Sequence, residues 1–165
     1  MAISTIVKTK RDGSITIADG GANTFTVDFE AGDLSLSIPG AAANNFLDRG
    51  RITATPSVRY GDDQPVTGSF TAYLRDLSDA SYETLTEILC QTGHVASTWV
   101  STLGANAEVF TVKITWTIEG TDHGDAADHV CVLNHCYASG GSLSEGDPNT
   151  ISFNFTSFSV YPTLT

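Results

Sequence analysis

Positive charge is scarce in this 165-residue sequence. Lysine and arginine together number 8, against 19 aspartate and glutamate residues, and the formal net charge is -11. The imbalance is concentrated after residue 75, where eleven acidic residues accompany a single basic residue, Lys113, for a net of -10. A surface of this sign repels nucleic acid and anionic lipid. The composition therefore argues against a protein that binds nucleic acid or a membrane.

Cysteine and long apolar runs are also sparse. The three cysteines, Cys90, Cys131 and Cys136, are an odd number and a poor disulfide framework, which is typical of a reducing compartment. The first eleven residues lack the basic start and the long apolar stretch of a signal peptide. No apolar run approaches membrane-spanning length. We therefore expect a soluble protein that is made in the cytoplasm.

Catalytic motifs are missing as well. The sequence has no Gly-x-Ser-x-Gly elbow, no phosphate-cradling glycine loop and no local signature around a cysteine, so we expect no enzymatic activity and no cofactor. The best metal candidates are His129, Cys131 and His135, which would share one face of a strand. Their spacing matches no structural zinc pattern, and Cys131 suits an apolar core. Metal binding is therefore the weaker alternative.

Alternation of apolar and polar residues is the dominant pattern that is present. Along residues 110–119, every second residue is apolar and those between are threonine, lysine or glutamate. Successive strand side chains point to opposite faces, so this segment is predicted to be a strand with one buried face. Shorter alternations recur from end to end. Together with the length, they predict a single, mainly β domain that spans residues 1–165.

Two hairpins and one helix are predicted in the first part of the chain. The first hairpin pairs residues 25–30 with 34–38, and the second pairs 51–60 with 66–75 across a Gly-Asp-Asp-Gln-Pro turn. Residues 79–92 carry an apolar stripe at helical spacing and predict one amphipathic helix.

Two more strands are predicted in the last part of the chain. They lie near residues 129–138 and 150–161, on either side of a Gly/Ser-rich loop. The apolar parity of the final strand shifts near residues 156–157, which predicts a bulge there.

The order and length of these elements resemble the tail tube protein of long-tailed bacteriophages. The resemblance rests on a hairpin, the Asn-Asn-Phe-Leu-Asp-Arg-Gly loop at 44–50, a second hairpin, one helix and further strands, and it is strongest from residue 66 to residue 92. It implies an antiparallel β-sandwich or barrel with one flanking α-helix. It also implies hexameric rings that stack into a hollow tail tube, which conducts double-stranded DNA to the host.

The resemblance implies a virion component whose first partner is its own copies. A tape measure protein and tail-end proteins are the other implied partners, and DNA would pass through the tube without specific binding. Subunit or ring contacts are expected in and around the 44–50 loop, at Asn44, Asn45, Phe46, Leu47, Asp48, Arg49 and Arg51. The alternative for Phe46 and Leu47 is that they fold back as a lid on the core. Asp28 and Glu30 are the candidate lumen carboxylates, and the alternative is that they face outer solvent.

Three other interpretations are compatible with the sequence. The first is a secretion-system tube subunit, with the same ring architecture but protein cargo. The second is a monomeric β-sandwich that binds carbohydrate through Trp99. The third is a metal-dependent enzyme built on the histidine and cysteine set described above.

Overall fold

The structure is a computed structural model that describes residues 7–9, 12–27, 33–46, 57–159 and 161–165, without the side chain of His123. The described chain is mainly β, as predicted. Its strands are β1 (Gly13–Ala18), β2 (Thr24–Val27), β3 (Ser35–Ser37), β4 (Ala43–Phe46), β5 (Ser57–Tyr60), β6 (Val66–Tyr73), β7 (Val112–Ile118), β8 (His129–Ser144), β9 (Thr150–Ser157) and β10 (Thr163–Leu164). Its helices are α1 (Leu85–Cys90) and α2 (Gly93–Thr98), with 3-10 turns at Gly104–Asn106 and Thr121–His123.

One antiparallel sheet contains most of the strands. Its order is β2-β1-β7-β8-β9-β6-β3, and β10 also pairs with β8. The 16-residue strand β8 pairs with β7 along its first half and with β9 along its second half. Cys136 lies opposite both Val112 and Ser157, so β7 and β9 flank β8 on opposite sides. The sheet therefore forms the two layers of a β-sandwich with β8 common to both.

A local irregularity in β8 lies where its pairing changes from one layer to the other. His135 has a φ of 55°, in the left-handed region that strand residues avoid. Leu133 and Cys136 are both buried although they are three residues apart, so the alternation of inward and outward side chains slips by one position between them. Such a slip is the effect of a β-bulge, which bends the strand and re-aims its side chains.

The core lies between the two layers. β1 and β7 contribute Ile15, Ile17 and Ile114, while β6 and β9 contribute aromatic side chains. The rings of Phe70 and Phe153 stack with centroids 5.3 Å apart. Both sets belong to one continuous cluster, as expected for a sandwich whose two inner faces interdigitate.

The predicted helix exists but is shorter than expected and is followed by a second one. The Asp79 carboxylate accepts hydrogen bonds from the Ser81 and Tyr82 backbone N–H groups, a local arrangement that competes with helix formation. Thr84 caps α1 instead, because its hydroxyl accepts from the Glu87 N–H group. Gln91 ends the helix in the left-handed region, at a φ of 55°. The helix predicted over residues 79–92 is therefore confined to α1, and α2 follows it outside the predicted range.

Both predicted hairpins are wrong in their pairing. β2 pairs with β1, and β3 pairs with β6, so the described part of the first predicted hairpin, residues 25–27 and 34–38, is not paired as expected. β5 pairs with β4, and β6 pairs with β9, so residues 57–60, the described part of the first strand of the second predicted hairpin, do not pair with residues 66–75. Alternation identifies which residues form a strand and which face is buried, but it does not identify the neighbouring strand.

The C-terminal strands also differ from the prediction. β8 continues through residues 139–144, which were predicted to be a Gly/Ser-rich loop. β9 ends at Ser157 instead of running through a bulge to residue 161, and the chain then pairs again with β8 as the two-residue β10. The parity shift near residue 157 therefore marks the end of a strand.

The turn between β1 and β2 is built around Asp19, a buried carboxylate that the sequence analysis did not single out. Asp19 Oδ1 accepts from the backbone N–H groups of Gly21 at 2.8 Å and Asn23 at 3.0 Å. Asp19 Oδ2 accepts from Asn23 Nδ2 at 2.9 Å and from the Val100 N–H group at 3.0 Å. Burial alone would raise the Asp19 pKa, but these hydrogen bonds outweigh burial and hold the pKa below its usual value.

Candidate assembly surfaces

The arm, defined here as residues 43–46 and 57–60, is a two-stranded ribbon formed by β4 and β5. Its strands pair with each other and with no other strand of the described chain. All eight residues are exposed, including Phe46 (57%), Val58 (55%) and Tyr60 (89%). An isolated two-stranded ribbon is marginally stable in water. The arm therefore presents apolar groups and unpaired strand edges that a partner could cover.

The predicted contact residues fall on this arm or beyond the described chain. Asn44, Asn45 and Phe46 lie on β4 and are exposed, so the alternative in which Phe46 covers the core as a lid is wrong. Their role as contacts stays a prediction. Outside the described residues lie Leu47, Asp48, Arg49 and Arg51, together with the candidate lumen carboxylates Asp28 and Glu30.

The open edge, defined here as residues 138–144, is the second half of β8. β9 covers one of its sides, but the side that β7 covers earlier in the strand has no neighbouring strand within the described ranges. The Ser142 N–H group donates to Ser152 Oγ on the β9 side, at 2.9 Å. Because successive N–H groups of a strand point to opposite sides, those of Gly141 and Leu143 point to the uncovered side.

The sequence of the open edge contains no charge or proline that would hinder strand pairing, although the register with β9 shifts at its start, between Ala138 and Gly140. Natural edge strands are often protected by lysine, proline or an inward-pointing charge. Residues 138–144 contain none of these, residues 139–144 are all exposed, and the Leu143 side chain is 50% exposed. The two terminal strands of the sheet, β2 and β3, are shorter, at four and three residues. The open edge is therefore the longest uncovered run of strand in the described chain.

Carboxylates are grouped at the end of the sheet to which the open edge leads. Glu145 and Asp147 follow β8 directly and are exposed. Asp76 follows β6 at the same end, because the Leu74 N–H group donates to the Asn149 carbonyl at 2.9 Å. This end of the molecule therefore carries three carboxylates against one arginine, Arg75, beside an uncharged strand edge.

The metal candidates do not converge. His129 is exposed and its Nε2 lies 3.2 Å from Asp125 Oδ2, whereas His135 Nδ1 lies 3.1 Å from Thr102 Oγ1. Cys131 is buried, and burial raises the pKa of its thiol. No group of three possible ligands is close enough to hold a metal ion among the residues that the structure describes. The bulge at His135 separates side chains that a regular strand would align.

Trp99 does not form a sugar-binding platform. Its side chain is 6% exposed and belongs to the hydrophobic core, directly after α2. Stacking on a carbohydrate requires an exposed ring face. The carbohydrate interpretation that depended on this residue is therefore wrong.

The sequence matches no protein-family model, and no curated protein matches it. The fold matches that of a sheath/tube terminator. The matching structure is a cryo-EM structure of an extracellular contractile injection system, the PVC sheath/tube terminator in its extended state. The TM-score is 0.63 over 99% of each chain, at 9% identity. A likeness at this level of identity shows a shared fold.

The described helices are all short. None of them has the length and apolar character that crossing a membrane would require.

Proposed function

We propose that this protein is a structural component of a phage-like tail, in which six copies form a ring and rings join a hollow tube. The observation that carries the proposal is the full-length likeness to a sheath/tube terminator, which covers 99% of both chains. The likeness agrees with the resemblance to tail tube proteins, which rests on the order and length of the elements along the sequence. Two independent features, sequence pattern and fold, thus favour the same class of assembly.

The surfaces of the subunit support self-assembly. An exposed ribbon and an unprotected strand edge are hazards for a monomer, because either can pair with another chain. Within a ring they become joints, since each copy covers the exposed surface of its neighbour. The arm and the open edge therefore have a physical purpose in an assembly that they lack in an isolated subunit.

The charge of the chain suits a conduit for double-stranded DNA. A net charge of -11 per copy corresponds to about -66 for a six-membered ring. An anionic bore does not bind the DNA phosphates, so DNA could pass along it without sticking. Asp28 and Glu30 remain our candidates for the lumen, and the tape measure and tail-end proteins remain the proposed partners within the virion.

A second candidate is a tube or terminator of an injection system with protein cargo. The specific observation in its favour is that the matching structure belongs to a contractile injection system. The same observation favours a position at the end of a tube over a repeated position along it. Both candidates require ring formation and differ in cargo and in stacking.

Electron microscopy of the purified protein, with light scattering across a concentration series, tests the proposal. Six-fold rings or hollow filaments are expected: filaments indicate a repeated tube subunit, and single rings indicate a terminator. A monomer at every concentration would contradict the proposal. As a test of the conduit, the rings should leave a short DNA duplex unbound at physiological salt, and tight binding would refute an inert bore.

A further inference from the structure

We propose that the arm of one copy adds to the open edge of β8 in a neighbouring copy and extends its sheet. This inference rests on the proposed self-assembly and names the two surfaces that perform it. It assigns a donor (residues 43–46 and 57–60) and an acceptor (residues 138–144) to one head-to-tail contact.

The donor is a ribbon with exposed apolar side chains and with strand edges that pair with no other strand of the described chain. Phe46 and Ser57 lie opposite each other on one face, while Val58 and Tyr60 project from the other face. Each strand has one edge paired within the ribbon and one edge without a strand among the described residues. A third strand would supply the missing backbone hydrogen bonds, and three strands are the smallest sheet with independent stability.

The acceptor has the length and the hydrogen-bonding groups for this role. The register of the open edge with β9 shifts between Ala138 and Gly140, so its regular part is residues 140–144. These five residues span about 16 Å, whereas a four-residue strand of the arm spans about 13 Å, so the arm fits along them. The N–H groups of Gly141 and Leu143 point to the uncovered side, because the Ser142 N–H group between them points toward β9. Leu143 also offers a half-exposed apolar side chain to the incoming strand.

The charges near the two surfaces favour this acceptor for the arm. They also favour a second copy of the chain as the molecule that binds there. The segment 43–60 carries three arginines against one aspartate, a net of +2, and its Arg59 is exposed on β5. The open edge leads into Glu145 and Asp147, and no lysine or arginine follows residue 113. The arm does not pair with the open edge of its own chain. The donor thus carries a positive charge at Arg59, the acceptor leads into two carboxylates, and both surfaces remain available for contacts between copies.

The contact uses different surfaces on its two sides, and such contacts produce a closed ring or an open helix. Because each copy has one donor and one acceptor, a closed ring of any number of copies uses every acceptor and one free edge of every arm. One type of contact is therefore sufficient to form a ring, and a single subunit contains both of the surfaces that make it.

The first test compares Leu143→Pro with its matched control Leu143→Ala. Proline removes the outward N–H group, which no bond within the sheet requires, and proline is tolerated at such edge positions. Leu143→Pro should raise the concentration for half-assembly by at least about tenfold. One hydrogen bond is lost, and the pyrrolidine ring of proline also obstructs the incoming strand. Leu143→Ala keeps the N–H group and should stay within about threefold of the wild type. Equal assembly of all three proteins would overturn the inference.

The second test detects the contact itself and does not depend on the folding of the proline variant. In a Cys90→Ala background, one chain carries Asn45→Cys on the arm and another carries Ser142→Cys on the edge. A short bismaleimide should link the two chains in a mixture, while neither chain alone should form a linked dimer. Rings without this mixed cross-link would refute the inference and leave the proposed function intact. A wild type that stays monomeric would overturn both.

Charge reversal provides an independent readout. Arg59→Glu should weaken assembly about fivefold, the effect of one exposed ion pair, and Glu145→Arg on the same chain should recover most of that loss. Losses that simply add in the double variant would contradict the assigned pairing of the two surfaces.

Discussion

Replacing Asp19 should destabilise the monomer, because the turn between β1 and β2 is built around its carboxylate. The loss of stability should depend on pH. Asp19→Ala removes the acceptor of four hydrogen bonds, two on each carboxylate oxygen. A hydrogen bond to a charged group contributes about 1.5–3 kcal/mol net to stability, but Gly21 and its neighbours are exposed, so their N–H groups regain water when the carboxylate is removed. We therefore expect a loss of about 2–3 kcal/mol in the free energy of unfolding. That corresponds to about 4–12 °C in the unfolding midpoint for a chain of this size.

Asp19→Asn separates charge from shape. An asparagine can keep one carbonyl oxygen for Gly21 and Asn23, but its amide group then faces two donors, Asn23 Nδ2 and the Val100 N–H group. The loss should be about 2 kcal/mol at pH 7. The wild-type pKa is depressed below 3.8, so the unfolded chain binds more protons between the two pKa values, and stability falls as pH falls through that window.

Urea unfolding at pH 7 and at pH 3, at protein concentrations that keep the chain monomeric, measures this effect. The difference in the free energy of unfolding between wild type and Asp19→Asn should have its full value at pH 7 and be smaller at pH 3. Asp62→Asn, a change at an exposed turn residue, is the matched control and should stay within about 0.5 kcal/mol of the wild type. A gap below about 0.5 kcal/mol at pH 7, or one that does not narrow at pH 3, would refute the reasoning.

Two further predictions follow from burial and packing. A thiol reagent should label one cysteine per folded chain, the exposed Cys90, because Cys131 is buried and burial raises the pKa of Cys136 to about 12; mass spectrometry after native labelling would locate the modified residue, and rapid labelling of all three would contradict the core. Gly68→Ala should cost about 1–3 kcal/mol, because the new Cβ would lie 2.8 Å from both Leu36 Cδ2 and Phe155 Cε2. Thermal unfolding beside Gly40→Ala, where a Cβ meets nothing within 4 Å, provides the comparison, and equal midpoints would disprove the close packing.

Strands with a strong two-residue period were predictable, and β7 is the clearest case. Its Val112 and Ile114 are buried on the expected parity, because the apolar residues of an amphipathic strand mark the face that packs on the core. The mainly β fold and a helix against the sheet were predictable for the same reason. The pairing partners of the strands were not predictable, since pairing joins residues that are far apart in sequence. β6, for example, pairs with β9, which lies more than 75 residues later in the chain.

The candidate surfaces illustrate a different limit. Residues 139–144 are glycine, serine and leucine, a composition typical of loops, and they become strand because β9 pairs with them. The left-handed backbone of His135 has no signal in the sequence, yet it removes the alignment on which the metal hypothesis depended. Asn44 to Phe46 were predicted to lie in a loop, and only the structure shows that they form one strand of a ribbon.

The continuity of β8 through both layers has a mechanical meaning. A pull along its backbone would shear its hydrogen bonds with β7 and with β9 together, instead of peeling one layer from the other. Tension entering at one end of the strand would therefore be distributed across the whole sandwich before any part of it could yield.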